Sequence, residues 1–222
     1  KDGGASVIRG ELTSKHCAAS ALLDSQDTMK QQTLNAAIKQ GMTKETKMTA
    51  LCDGARNCWN IVDSLESHCH SVERILDWFH ISMRFQNTRL GQEALNEQLS
   101  GAKWYLWNGL VIKAIERLQS IYDNLNDDKK KQEKVQLLLV YIKNNADYIV
   151  NYQKRQDAGV IFTSQMAEST VESLINQRCK GQQHMRWSRE GLHALLQIRA
   201  AVNSNDWSSI CEHHIAVSVY RK

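Results

Sequence analysis

Two aspartates follow short apolar runs, at points where the sequence changes from a strand-like to a helix-like pattern. Asp53 comes directly after residues 48–52, and Asp77 comes directly after residues 72–76. Side chains at the carboxyl ends of parallel strands face the crevice in which open α/β sheets bind their ligands. Because Mg²⁺ prefers carboxylate and water oxygens, two carboxylates in such positions indicate a metal-assisted site.

A third carboxylate, Glu168, lies far downstream in a segment with helical spacing. The pattern predicts a helix over residues 164–179, and Glu168 lies at the edge of its apolar stripe. If this helix packs beside the strand that ends at Asp53, the two carboxylates converge. Glu172 lies one turn further along and can reach the same side. We therefore treat Glu168 as the candidate ligand and Glu172 as its alternative.

Four ordered motifs give the sequence its resemblance to a known family. It resembles bacterial insertion-sequence transposases of the Kra type, which share an Asp, an Asp-x-x-His and a distant Glu. The resemblance covers roughly residues 15 to 203. The four motifs are Cys52–Ala55, Leu76–His80, Phe162–Val171 and Met185–Gly191.

The resemblance implies both a fold and a reaction. The fold would be an α/β RNase H-like core, a mixed or parallel sheet flanked by helices. The reaction would be Mg²⁺-dependent DNA cleavage and strand transfer by a DDE-type transposase, with Mn²⁺ as a substitute ion. By resemblance, Asp53 and Glu168 match the second Asp and the Glu of the catalytic triad, while Asp77 and His80 match a signature near the site.

Further expectations follow from the same resemblance. Transposases of this kind act as homo-oligomers that bridge two transposon ends and target DNA, in the bacterial cytoplasm at the nucleoid. Two other functions stay open: a metal nuclease of the same fold without strand transfer, and a non-catalytic DNA-binding remnant. The first triad Asp has no clear counterpart, because only Asp2 precedes the strand expected near residues 17–23. The chain also begins with Lys1 rather than Met, so we expect an inactive fragment of a longer protein.

Each candidate residue also has a structural interpretation. Asp53 precedes Gly-Ala and a helical run, which makes it a suitable helix N-cap. We interpret Asp77 and His80 as a supporting pair, in which a buried His bonds the carboxylate three residues earlier. The cluster His68-Cys69-His70 suggests zinc, but adjacent residues do not easily close a tetrahedral site.

Basic residues near the carboxyl end form the best candidate for DNA binding. They are interleaved with Trp187, which could stack on an unpaired base, while the cations neutralise phosphates. A core position for Trp187 and a solvated face for the cations are the alternatives. The basic residues are Arg178, Lys180, Arg186 and Arg189.

Composition and periodicity set the expected organisation. The chain has 222 residues, a net charge of +4 and no proline, so helix interiors are not interrupted. Its six cysteines form no CxxC pair and indicate reduced thiols, and no apolar run approaches the ~20 residues that span a membrane. We predict the amino-terminal part of the core over 1–100, an all-helical insertion over 101–158, core helices over 159–205 and a tail of unassigned structure over 206–222.

Overall fold

The computed structural model describes residues 15–125, 127–179 and 186–212. Of these described residues, 64% are helical and 6% are in strands. Short 3-10 turns at Glu66–His68 and Ala146–Tyr148 connect longer elements. The elements are α1 (Asp27–Lys39), β1 (Lys47–Cys52), α2 (Arg56–Asp63), β2 (Ser71–Leu76), α3 (Trp78–Asn87), α4 (Glu93–Trp107), α5 (Val111–Asp123), α6 (Lys129–Asn144), α7 (Tyr152–Asp157), α8 (Gln165–Val171), a π-helix (Glu172–Asn176), α9 (Gln177–Cys179) and α10 (Arg189–Asn203).

The expected RNase H-like α/β core is wrong. Across the described ranges the only sheet consists of β1 and β2, which run parallel. The expected strand at residues 17–23 and the apolar residues 159–162 have no regular secondary structure. The sequence was misleading because a short apolar run does not by itself determine secondary structure. Leu23, Val160 and Ile161 are exposed side chains of irregular chain and not members of a buried strand.

The chain divides into two compact units, and neither is continuous in sequence. The first contains Thr49–Trp59 and Val72–Gln165, and the second contains Asn60–Ser71 with the described parts of Arg9–Met48 and Met166–Lys222.

The core of the first unit is built by helices, with β2 along one side. The apolar stripe of α6 is fully buried at Val135 and Ile142, and it packs in one cluster with Ile75 and Leu76 of β2. Residues 101–158 are therefore largely helical, as their periodicity predicted, but they are not an insertion into an α/β core. Their apolar faces form the main core themselves, because amphipathic helices bury their stripes against one another.

An aromatic cluster lies at the centre of this core. The ring centroid of Trp78 is 4.8 Å from that of Trp107 and 4.8 Å from that of Tyr152. The Tyr152 hydroxyl donates to the carbonyl of Leu76, at 2.7 Å. This buried bond joins α7 to the end of β2.

The second unit contains α1, α8, the π-helix and α10. Ala19, Leu174, Leu196 and Ala200 form its small apolar core. Arg199 donates through Nε to the carbonyl of Leu174 at 2.8 Å, which joins α10 to the π-helix.

Several local predictions are confirmed. The sequence predicts a helix that Asp24 or Ser25 can cap and that ends at Gly41. This helix is α1, but its N-cap residue is Gln26, which makes no side-chain cap bond, while the Asp24 carboxylate accepts from the backbone N–H of Thr28 at 3.0 Å. Ser188 caps α10 by accepting from the N–H of Gly191. One local prediction is wrong: the sequence pattern predicts a single helix over residues 80–100, but the structure has two helices there, α3 and α4. Residues 207–212 are helical, where the sequence had given no assignment.

The bond from Tyr152 to Leu76 gives the first testable prediction. Because Tyr152 is fully buried, Tyr152→Phe leaves the Leu76 carbonyl without this donor, and we expect a loss of about 1–3 kcal/mol in the free energy of unfolding. Urea unfolding followed by tryptophan fluorescence measures it. Tyr122→Phe, at a half-buried position on the same core, is the control and should stay within about 0.5 kcal/mol of the parent. Equal losses in the two variants would contradict the prediction.

Candidate functional site at the ends of the paired strands

The parallel pairing of β1 and β2 places two aspartates at one edge of the sheet. The backbone N–H of Asp77 donates to the carbonyl of Cys52 at 2.9 Å, so the residues that follow the two strands lie side by side. Asp53 and Asp77 are those residues. The edge is the one at which parallel strands expose ligand-binding side chains.

Asp53 is half-buried and shapes the turn into α2. Its Oδ1 accepts from the backbone N–H of Ala55 at 2.8 Å, which is the capping interaction that the sequence suggested. Its carbonyl oxygen accepts from the hydroxyl of Tyr141 at 2.9 Å. The next residue, Gly54, has a φ of +89° and lies against the side chain of Asn145. Two residues of the α6 region thus fix the backbone that presents the Asp53 carboxylate.

Two cysteines beside Asp53 are held in their protonated form. Burial of the Cys58 thiol, together with the charge of Asp53 and its hydrogen bond, raises the pKa of Cys58 to about 11. Burial and the neighbouring groups raise the pKa of the Cys52 thiol to about 12. Because the thiolate is the nucleophilic form, these cysteines are poor nucleophiles at neutral pH.

The Asp77 carboxylate is 1% exposed and accepts four hydrogen bonds. Its Oδ1 accepts from the backbone N–H groups of Phe79, at 3.1 Å, and Ser164, at 2.9 Å. Its Oδ2 accepts from Nδ1 of His80 at 2.8 Å and from the hydroxyl of Ser164. A carboxylate has about four acceptor positions, and these bonds occupy them. The geometry therefore favours a supporting role for Asp77 over direct metal binding.

His80 is the accessible member of its pair with Asp77. Its side chain is 39% exposed, so the buried partner is the carboxylate and not the histidine. Since a carboxylate only accepts, Nδ1 of His80 carries the proton in this bond, which leaves Nε2 as the proton-accepting nitrogen of the neutral ring. An oriented and accessible imidazole therefore lies next to the strand ends.

Glu168 lies in α8 and is half-buried. It belongs to the second unit and Asp53 to the first, so their convergence stays a prediction. The alternative, Glu172, is exposed and accepts from Asn176 at 2.8 Å. In the described parts of the chain, no group of three or more His, Cys, Asp or Glu side chains is arranged to hold a metal ion. Asp2 lies outside those parts.

The residues expected to bind DNA lie in the second unit. Arg178, Arg186 and Arg189 are exposed, and Lys180 lies outside the described residues. Trp187 is half-buried, and its indole N–H is buried without a hydrogen-bond partner among the described residues. Whether these side chains contact DNA stays a prediction.

Sequence reasoning missed three residues that complete the strand-end site. Ser164 lies in one of the four motifs, but a serine at the start of a predicted helix is a suitable cap, so its position did not point to Asp77. Tyr141 and Asn145 lie in and just after a helix whose apolar periodicity gave no sign of contact with Asp53 and Gly54. No local pattern could have identified these partners, because they are far away along the chain.

The fold and the site together define the class of the described part of the chain: helix-rich, with one short parallel strand pair that presents carboxylates at its edge. The sequence model of the uncharacterised protein family UPF0236 matches residues 26–211, and the chain belongs to this family. Comparison with curated proteins and with solved structures finds no match. None of the described helices has the length and apolarity needed to cross a membrane.

The hydrogen bonds of Asp77 can be tested by an isosteric change. Asp77→Asn keeps the shape but places an NH₂ group against donors, so we expect the free energy of unfolding to fall by at least about 2 kcal/mol. The exposed Asp127 offers a control, because Asp127→Asn should change stability by less than about 0.5 kcal/mol. Urea unfolding compares both variants with the parent. A stability loss no larger in Asp77→Asn than in Asp127→Asn would show that the four bonds contribute little.

Gly54 gives a second test of the same edge. A Cβ at Gly54 would lie 2.8 Å from Oδ1 of Asn145. Asn145 is buried, and its Nδ2 donates to the carbonyl of Tyr141. We expect Gly54→Ala to lower the free energy of unfolding by about 2–4 kcal/mol, because the alanine is strained at a positive φ and overlaps with its neighbours. Gly159→Ala is the matched control, because Gly159 has a φ of +70° but no atom within 4 Å of the added Cβ.

Gly159→Ala should lower the free energy of unfolding by about 1–2 kcal/mol, which is the cost of the positive φ alone. Adding Asn145→Ala to Gly54→Ala should cost less than the sum of the two single changes, because it removes the overlap. Equal effects of the two glycine substitutions on the urea midpoint would show that contact with Asn145 is unimportant.

Proposed function

We propose that this chain carries part of the active site of a DDE-type transposase, an enzyme that cuts DNA at transposon ends and joins the freed 3′-hydroxyl to target DNA. The observation that supports it is the strand-end edge, where Asp53 lies beside the bonded pair Asp77 and His80. The motif resemblance supplies the reaction type. The proposal does not depend on an RNase H-like sheet.

Asp53 and Glu168 have the side chains that a magnesium ion requires. Both are half-buried carboxylates, and oxygen ligands of this kind suit Mg²⁺, or Mn²⁺ in its place. Asp77 does not fit as a ligand, since its oxygens already accept four hydrogen bonds. When bound, divalent ions activate the attacking oxygen and stabilise the leaving oxygen of a phosphodiester.

The other residues of the edge would position these groups. Asp77 would hold the turn between β2 and α3 and orient the ring of His80. Tyr141 and Asn145 would fix the backbone on either side of the Asp53 carboxylate. Because Nδ1 of His80 is bonded to Asp77, its Nε2 is the nitrogen that would accept a proton close to the reacting groups.

The proposed partners are transposon ends and target DNA, bound by a homo-oligomer of the chain. The net charge of +4 and the exposed Arg178, Arg186 and Arg189 support binding to a phosphate backbone. Two rival functions predict different reaction products. A metal nuclease would cut donor DNA without joining it, and a non-catalytic remnant would bind DNA without cutting it.

A strand-transfer assay with Mg²⁺ tests the proposal on the protein encoded by the full open reading frame. We expect Asp53→Asn and Glu168→Gln each to lower joining at least about hundredfold, as loss of a group that stabilises transition-state charge does. Asp127→Asn and Glu172→Gln are the matched controls and should keep near-parental rates. Circular dichroism and DNA binding confirm that each variant is folded and binds DNA.

The outcomes separate the alternatives. If Asp53→Asn or Glu168→Gln joins DNA at the parental rate, the substituted residue is not catalytic. If Glu172→Gln loses joining activity and Glu168→Gln keeps it, the catalytic glutamate is Glu172 and not Glu168. Cleavage without joining would favour the nuclease, and DNA binding without cleavage by the intact protein would favour the remnant. Titration calorimetry with Mn²⁺ gives a second readout, since Asp53→Asn should weaken metal binding if Asp53 is a ligand.

A further inference from the structure

We propose that Arg84 binds a phosphodiester group of the DNA at the strand-end edge. Arg84 is exposed on α3, and its Cζ lies 4.8 Å from the ring centroid of Tyr141. The hydroxyl of the same tyrosine donates to the carbonyl of Asp53 at 2.9 Å. Two consecutive contacts therefore connect the guanidinium to the backbone of the candidate catalytic carboxylate.

The helical position of Arg84 supports this placement. Arg84 follows His80 by four residues and Asp77 by seven, and residues at these spacings lie on one face of a helix. The capped start of α3, the accessible imidazole and the guanidinium thus share one face. A phosphodiester bound beside Asp53 would lie near the cation on that face.

The charge of Arg84 has no ion-pair partner within the part of the chain that the structure describes. Arg155, by contrast, pairs with Glu73 at 2.7 Å. A guanidinium that is not engaged by a carboxylate can donate two parallel hydrogen bonds to phosphate. Packing on an aromatic ring also restricts the side chain before binding, so less conformational entropy is lost when phosphate binds.

The electrostatics around Tyr141 agree with this geometry. Burial raises the pKa of the Tyr141 hydroxyl, whereas the charge of Arg84 acts in the opposite direction and the charges of Asp53 and Asp77 raise it further. The guanidinium therefore lies close enough to influence a hydroxyl that is bonded to Asp53. The nearby carboxylates would disfavour a bare phosphate, and Arg84 would offset part of that repulsion.

The inference rests on the proposed function, because it takes DNA as the substrate, and it names one group that binds it. Purely structural packing on Tyr141 is the alternative. Removal of Arg84 would then reduce stability without a specific effect on DNA binding.

The test is binding of a short fluorescein-labelled DNA duplex by the full chain, measured by anisotropy in EDTA over a series of salt concentrations. Each phosphate contact contributes about 0.9 to the slope of log K against log salt. We expect Arg84→Ala and Arg84→Gln to reduce this slope by about one unit and to weaken binding at ~0.1 M salt by up to about eightfold. Arg84→Gln keeps a planar amide at the position and covers the case in which Arg84→Ala does not fold.

Arg89→Ala is the matched control. It removes the same charge from an exposed position just beyond α3, without a described contact to Tyr141. Its effect measures the general loss of positive charge, and we expect a smaller change in slope and affinity. Equal changes for the Arg84 and Arg89 variants would overturn the inference, as would an intact chain that does not bind the duplex.

The binding and joining experiments fail in distinguishable ways. If Asp53→Asn abolishes joining while Arg84→Gln binds and joins DNA as Arg89→Ala does, the proposed function stands and the role of Arg84 is wrong. If Arg84→Gln specifically weakens binding while Asp53→Asn joins DNA at the parental rate, the Arg84 site stands and the catalytic assignment of Asp53 is wrong.

Discussion

The buried carboxylate of Asp77 is the constraint on which the geometry of the first unit depends. A charge that is 1% exposed is tolerated only when hydrogen bonds replace its lost hydration. Four donors do so here, and they come from the first turn of α3 and from Ser164. The end of β2, the start of α3 and the chain before α8 are thereby held together at one point. The backbone N–H of Trp78, which donates to the carbonyl of Phe162 at 3.3 Å, strengthens the same junction.

Helix packing, and not a sheet, surrounds this junction. Two short parallel strands cannot bury much surface on their own, and the apolar stripes of α4, α5 and α6 supply most of the core against which β2 lies. Trp78, Trp107 and Tyr152 fill the space between the strand end and the helices, and the Tyr152 hydroxyl satisfies the carbonyl of Leu76. The carboxylate edge is therefore positioned by helices that the sequence interpretation had treated as an insertion.

The two carboxylates at this edge lie in different environments. The Asp53 carboxylate is partly exposed. The Asp77 carboxylate is buried and hydrogen-bonded to the accessible His80. The capping bond from Ala55 to Asp53 is compatible with both a structural and a catalytic role, because it uses one carboxylate oxygen. Under the proposed function, Arg84 would add a cation to the same edge, through its contact with Tyr141.

The sequence by itself determined the short-range features. Helical periodicity located α1, Ser188 and the periodicity that follows it located α10, the two apolar runs located β1 and β2, and the Asp-x-x-His spacing indicated the bond between Asp77 and His80. These features depend on residues a few positions apart. Only the tertiary structure decided that the described residues form a sheet of two strands, that Ser164 completes the bonds of Asp77, and that Tyr141 and Asn145 fix the turn at Asp53. The packing of apolar helix faces brings those partners together. A local sequence pattern does not show which faces pack against each other.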